Sequence, residues 1–175
     1  TYSVHEVIPA DVAAKFKAEY GKTLLPVDDF KITISDEGQY DPPVLVSNKI
    51  PQTPLKVVKA DAETGKRIPL AASFELYDAD GDLVTYTLHD PDVKVMSTWT
   101  TNERGELTLP MVLGEGHYFL KEVAAPEGYV LDSEPAAFAV SADYRGWDDP
   151  IVLAFEDAPQ KGTVTVSKTD SETES

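Results

Sequence analysis

The stretch Tyr118–Tyr129, YFLKEVAAPEGY, most restricts what this chain can fold into. Its apolar residues alternate in front of a carboxylate, and it closes on a Pro-Glu-Gly turn. A strand sends successive side chains to opposite faces, so Tyr118, Leu120 and Glu122 share one face and Phe119 and Lys121 the other. Tyr118 and Leu120 read as core, and they carry Glu122 into the core with them. A carboxylate at the end of a core-facing row is costly unless it is protonated or partnered. Two other rows offer the partners. Leu55, Val57 and Lys59 end in an amine, and Ile151, Leu153, Phe155 and Asp157 end in a second carboxyl. Glu156, beside Asp157, has the opposite parity and belongs in solvent.

Composition narrows the class. A chain of 175 residues with 42% hydrophobic and 26% charged residues is ordinary globular protein, long enough for one large domain or two small ones. A net charge of −16 argues against nucleic acid or an anionic membrane as partner. Neither a membrane-spanning stretch nor a signal peptide is expected. Cysteine is absent, so disulfides and thiolate metal sites are unavailable. No cofactor is expected, and no metal site.

Short strands and frequent turns predict an all-β antiparallel sandwich. Strands are expected at Leu55–Lys59, Ala72–Tyr77, Leu83–Leu88, Met96–Thr101, Glu106–Leu109, Gly116–Val123, Ala136–Ser141 and Ile151–Asp157. Asp78–Asp82 (DADGD) has the alternating carboxylates of a calcium loop but lacks the downstream bidentate glutamate, so a Gly-containing hairpin turn is the better reading. The isolated histidines His5, His89 and His117 have no nucleophile arrangement around them. Trp99 and Trp147 read as packing or loop anchors before they read as a ligand surface.

Three pieces together resemble the Cna protein B-type (SpaA-like, prealbumin-like) domains of Gram-positive surface proteins and pilins. They are LKVVKADAETGKRIPLAASFELYDADGDLV, TTNERGELTLPMVLGEGHYFLKEVAAPEGYVL and VLAFEDAPQKG, covering roughly residues 53 to 161. The resemblance implies an immunoglobulin-like, prealbumin-like sandwich, extracellular and attached to the cell wall. It also implies a spontaneous isopeptide bond from Lys59 to Asp157, with Glu122 as proton shuttle. The family's usual acceptor is Asn, and some members use Asp. Burial favours the neutral forms of amines and carboxylic acids, which is what amide formation needs. On the spacing alone, a buried ion pair stands as an equal alternative.

The flanks repeat parts of this unit. Tyr2, Val4 and Glu6 align with Tyr118, Leu120 and Glu122. Residues 10–20 have helical spacing between Pro9 and Gly21 and read as an inserted helix. Phe30–Ser35 and Pro43–Asn48 alternate as strands, with Asn48 in the place of Asp157. Ile50-Pro-Gln-Thr53 faintly resembles a sorting signal and reads as linker. From Thr163 the chain begins the unit again, and Lys168 aligns with Lys59. The expected organisation is a window on a tandem array, out of register with its repeats. Residues 1–52 end one unit, 53–161 form a complete one, and 162–175 open another. The expected role is a stalk or shaft module of an adhesin or pilin, with neighbouring repeats as partners and no turnover enzyme activity. A second reading is an adhesin module that binds host protein or glycan through the loops around residues 89–100 and 143–149.

Overall fold

A computed structural model describes residues 1–33, 44–89 and 92–168. Eleven strands and one helix follow one another along them: β1 (Tyr2–Val4), α1 (Ala10–Tyr20), β2 (Phe30–Ile32), β3 (Thr53–Asp61), β4 (Ser73–Asp78), β5 (Tyr86–Leu88), β6 (Lys94–Met96), β7 (Thr98–Thr100), β8 (Glu106–Leu113), β9 (Gly116–Ala124), β10 (Ala136–Val140) and β11 (Ile151–Asp157). The main body is a two-layer sandwich. One sheet has the order β10-β9-β4-β7 and the other β11-β3-β8. Leu55, Val57, Leu107, Leu109 and Phe155 from the three-stranded sheet meet Phe74, Leu76, Trp99, Leu120 and Val140 from the four-stranded one in a single core. Phe74 and Phe155 stand edge to face across it, with ring centroids 5.0 Å apart. The β5–β6 hairpin adds Tyr86 and Met96 to the edge of that core.

The period-2 reading places the strands well where both faces are specified. In β3 the buried row Leu55, Val57, Lys59 follows from parity, as does the inward row of half-buried Tyr118 and buried Leu120 and Glu122 in β9. One pairing departs from the antiparallel expectation: β11 runs parallel to β3, with Phe155 opposite Lys59. The chain achieves this by crossing between the layers between its first and last strands in the sandwich. A bulge in β8 absorbs Pro110, which cannot donate to the ladder. The Asp78–Asp82 segment is a turn. Asp78 Oδ1 accepts from the Asp80 and Asp82 amides, at 3.0 and 2.9 Å, and Gly81 takes φ +84.

The helix falls on residues 10–20 as its spacing predicts, and Gly21 caps it in the left-handed region by donating to the Lys17 carbonyl. It buries no side chain. Lys17 and Thr23 reach the main body through Glu115. Other expectations are corrected. The Leu83–Leu88 strand is limited to Tyr86–Leu88, since Leu83 is used in a bridge to Tyr77 beside the turn. Met96–Thr101 divides at Ser97 into β6 and β7, which join different sheets. Thr53 is 1% exposed inside β3, so the Ile50–Thr53 linker runs straight into the core rather than standing clear of it.

The largest departures are at the flanks. Val44–Asn48 and Thr163–Lys168 alternate like strands but form none. Val44, Leu45 and Val46 are exposed, and Val164 and Val166 are 87% and 86% exposed. The sheet order supplies the reason. In the main body the strand that Val44–Asn48 resembles, β11, pairs with β3 alone, and a β3 counterpart is missing beside it among the described residues. The predicted ends of these strands at Ile34–Ser35, Pro43 and beyond Lys168 lie outside the described residues.

Gly105 precedes β8 with φ +68, and a Cβ there would run into the Ile68 carbonyl. Gly105→Ala should therefore lower stability by about 1–3 kcal/mol or more from backbone conformation and crowding together. Gly65, also at positive φ but with open space around it, should cost less on the same change. Urea denaturation of both variants on a Lys59→Met background, where no cross-link can form, checks the order.

Candidate cross-linking site

The three inward-pointing ionisable groups meet. Lys59 from β3 and Asp157 from β11 lie diagonally on the inner face of one sheet, and Glu122 from β9 faces them from the other. Lys59 Nζ is 2.5 Å from Asp157 Oδ1 and 2.9 Å from Glu122 Oε1, and the Lys59 and Glu122 side chains are fully buried. Asp157 is 1% exposed. Phe155 packs alongside, its ring centroid 5.9 Å from Nζ. Close as they are, none of these contacts has the angles of a hydrogen bond. An amine and two carboxyls thus sit dry and in contact without aligned hydrogen-bond partners. In an apolar interior that is an unfavourable resting state for three charged groups.

Burial is the main influence on Glu122, and it pushes the carboxyl up to about 7. The Lys59 amine works against that shift, while Asp157 adds to it. Glu122 is therefore balanced near neutrality between taking up and releasing a proton, as a general acid–base must be.

The backbone around Lys59 and Asp157 is held at several points. The Lys59 amide donates to the Gly105 carbonyl at 2.8 Å, and its own carbonyl accepts from Ile68 at 3.0 Å. The Asp157 carbonyl accepts from the Ala62 amide at 2.9 Å. Tyr129, in the turn after β9, donates its hydroxyl to Asp61 Oδ2 at 3.1 Å, tying that turn to the end of β3. A bulge between β4 and β9 puts Phe74 opposite Glu122 and leaves Val123 as the extra residue. Bulges re-aim the side chains beside them, and this one is adjacent to the central carboxyl. Sequence reasoning missed Gly105, Ile68, Tyr129 and the bulge. Only the Asn102–Gly105 turn carried a signal, because a glycine just before a strand marks a turn or a close approach.

The other candidates disperse. Glu156 is exposed, as its parity requires. His5 pairs with Asp29 at the surface, and His89 and His117 are exposed. Trp99 is 3% exposed in the core, which removes it from any ligand surface, whereas Trp147 is exposed. Among the described residues no group of histidine and carboxylate side chains is arranged to hold a metal ion. No helix there is long and apolar enough to cross a membrane.

Glu6 and Asn48 are also together. Asn48 Nδ2 donates to Glu6 Oε2 at 2.7 Å and to the Leu25 carbonyl at 3.0 Å, and the Val27 amide donates to the same Glu6 oxygen at 2.8 Å. One backbone hydrogen bond has a counterpart at the main site, although Asn48 is exposed where Asp157 is buried. Leu25 N–H donates to the Lys49 carbonyl, one residue past Asn48, as Val130 N–H does to the Ala158 carbonyl, one residue past Asp157. Lys168 is exposed, and no described contact brings it to this pair.

A prealbumin-like β-sandwich with a lysine and two carboxyls buried between its sheets is the class that this geometry defines. The chain matches the family described as the SpaA prealbumin-like fold domain over residues 53–147. It belongs to that family. Among solved structures, the Bacillus anthracis TIE protein is 24% identical, with a TM-score of 0.51 over 65% of this chain and 18% of its own. The shaft pilin SpaA from Lactobacillus rhamnosus GG is 18% identical, with a TM-score of 0.50 over 65% of this chain and 48% of its own. The chain thus spans less than half the length of either, and at such identities the likeness concerns the fold. No curated protein sequence matches the chain.

In Lys59→Met no cross-link can form, and a group that holds the Glu122 pKa down is gone. Glu122 then binds its proton more tightly in the folded state than in the unfolded one. The Glu122 contribution to this variant's stability should be fully present below about 4.5 and be lost as pH rises through the folded pKa, which without Lys59 lies above about 7. Urea midpoints across that range test it, and adding Glu122→Gln should flatten the slope. An equal slope in both variants would assign the effect to other groups.

Proposed function

We propose that this chain is a structural stalk module of a Gram-positive cell-surface adhesin or pilin, hardened by a self-formed bond between Lys59 and Asp157. The observation that carries this reading is the contact of Lys59 Nζ with both carboxyls at full burial. The uncharged Lys59 amine attacks Cγ of the protonated Asp157 carboxyl, whose hydroxyl oxygen is the one that departs. A C–N bond forms, a C–O bond breaks, and the departing oxygen leaves as water. Glu122 takes the proton from Nζ and returns it to the leaving oxygen. Holding the groups in contact supplies an effective concentration on the order of 10⁵ M, and exclusion of water favours the neutral amide. Each molecule reacts once, so the chain is not a turnover enzyme.

The organisation fits a stalk. Residues 53–161 are read as one complete unit, with residues 1–52 and 162–175 belonging to neighbouring units of a tandem array. The shared fold with a shaft pilin supports the same reading. So does a chain without cysteine, which outside the cell must draw its resistance from something other than disulfides. An extracellular, wall-attached location follows from this role.

Intact mass under denaturing conditions tests the proposal. The chain should be lighter than its sequence by one water, with Lys59 and Asp157 in a single branched peptide. Lys59→Ala, Asp157→Ala and Glu122→Ala should each restore the full mass, the last with both bonding partners still present. By analogy with disulfide loop closure, a bond closing roughly 100 residues contributes about 4–5 kcal/mol. Glu122→Gln should accordingly melt lower and yield faster to protease. A full-length mass in the unaltered chain would return the site to a buried ion pair.

A further inference from the structure

The three strands that carry Lys59, Glu122 and Asp157 are tied together at one end, and Tyr129 is in the middle of the tie. After β9 the chain turns through Pro126–Tyr129, where the Tyr129 amide donates to the Pro126 carbonyl at 3.1 Å. After β11 the chain runs antiparallel to the end of that turn, with Pro159 opposite Tyr129. The Val130 amide donates to the Ala158 carbonyl at 2.9 Å, and the Gln160 amide donates to the Gly128 carbonyl at 2.7 Å. The Gln160 side chain adds a bond to the Tyr129 carbonyl at 2.9 Å. These bonds fasten the exit of β11, in one sheet, to the exit of β9, in the other. The Tyr129 hydroxyl brings in the third strand. Its acceptor Asp61 ends β3, two residues past Lys59 and opposite Asp157 in the parallel register.

That acceptor is fixed and charged. Asp61 Oδ1 takes the Glu63 and Thr64 amides, both at 2.9 Å, which leaves Oδ2 to the tyrosine. The Thr64 amide above all holds the Asp61 carboxyl below its ordinary range, so it accepts as a carboxylate. The hydrogen bond to Asp61 in turn pushes the Tyr129 hydroxyl up and keeps it a donor. Glu122 depends on this tie more than its partners do, because it alone comes from the other sheet. The β4–β9 ladder slips a residue immediately beyond it, from Phe74–Glu122 to Ser73–Ala124, so regular pairing does not continue past Glu122 to fix its aim. Lys59 and Asp157, by contrast, lie on neighbouring strands in unbroken register.

We infer that Tyr129 is a positioning residue for the bond between Lys59 and Asp157: its hydroxyl, held by Asp61, fixes the turn after β9 against the end of β3 and so keeps Glu122 in reach of the Lys59 amine. This role, which rests on the Lys59 reaction proposed above, needs no contact between Tyr129 and the reacting atoms. Without the hydroxyl the turn loosens from β3, the path of the proton from Nζ to Glu122 lengthens, and water gains access to it. Burial is the largest influence raising Glu122, so the same loosening lowers its pKa from about 7. The ionisable groups facing Glu122 are Lys59 from β3 and Asp157 from β11, and the residue opposite it in β4 is the apolar Phe74.

The test follows cross-linking of the 175-residue chain in time. Chain made by cell-free translation and trapped unfolded in urea is diluted to refold at a series of pH values from about 5 to about 8, and intact mass gives the fraction lacking one water. Tyr129→Phe keeps the ring and removes the hydroxyl. It should slow the loss of water roughly 10- to 100-fold and move the inflection of the rate due to Glu122 to lower pH. Tyr77→Phe removes another tyrosine hydroxyl that donates to a carboxylate, that of Glu75, and should change neither rate nor inflection. Three results would overturn this role alone. One is Tyr129→Phe reacting at the unaltered rate. Another is slow reaction with the inflection unmoved, as general destabilisation of the fold would give. The third is an equal slowing in Tyr77→Phe. If the unaltered chain never loses water, the Lys59 proposal falls and the role of Tyr129 falls with it.

Discussion

A lysine amine enclosed with two carboxyls is the constraint on which the rest of this structure depends. Removing three ionisable groups from water is costly, and the cost is tolerable only if they meet. They come from three strands in two sheets, so their meeting requires the whole sandwich. β3 and β11 must be neighbours in one sheet, and β9 must face them from the other. The large apolar side chains around the site, Phe74 and Phe155 above all, exclude the water that would otherwise separate the groups.

In the proposed stalk role, parallel pairing of the first and last strands of the sandwich sets how the site would meet tension. Tension applied where the chain enters β3 and leaves β11 loads that pair in shear. A covalent bond between Lys59 and Asp157 would carry the load directly and shield every residue in the loop between them. The surrounding backbone suits such a junction. Gly105 and Ile68 hold Lys59 on both sides of its peptide unit, and Ala62 holds Asp157. The same fixation keeps the Lys59 amine and the Asp157 carboxyl in contact. In the proposed role, positioning for reaction and resistance to force would be properties of one clamp.

In the N-terminal segment β1 pairs with β2, and no lysine strand stands beside them among the described residues. Glu6 and Asn48 still find each other, because their approach depends on β1 and on the bridge between Leu25 and Lys49, both local to that segment. The strand ahead of Asn48 does not form, because its backbone hydrogen bonds would go to a neighbour that is missing among the described residues. A site can therefore be partly assembled where a sheet is not. The inserted helix between Glu6 and Asn48 leaves that approach undisturbed, since it packs outside and buries none of its side chains.

What the sequence determined by itself was parity. Alternation of apolar residues in 55–59, 118–122 and 151–157 decides which side chains enter the core, and three of those are Lys59, Glu122 and Asp157. Local signals likewise sufficed for α1, with Pro9 and Gly21 at its ends, and for the Asp78–Asp82 turn, because caps and turns are built from neighbouring residues. Tertiary structure alone decided the remainder. Whether an alternating segment becomes a strand depends on a partner, and neither Val44–Asn48 nor Thr163–Lys168 finds one among the described residues. That β11 runs parallel to β3, that Val123 bulges beside Glu122, and that Gly105 must lie against Ile68 are all consequences of distant segments meeting. Parity is a property of one strand and can be read along it. Pairing is a property of two, and the residues of one strand do not name the other.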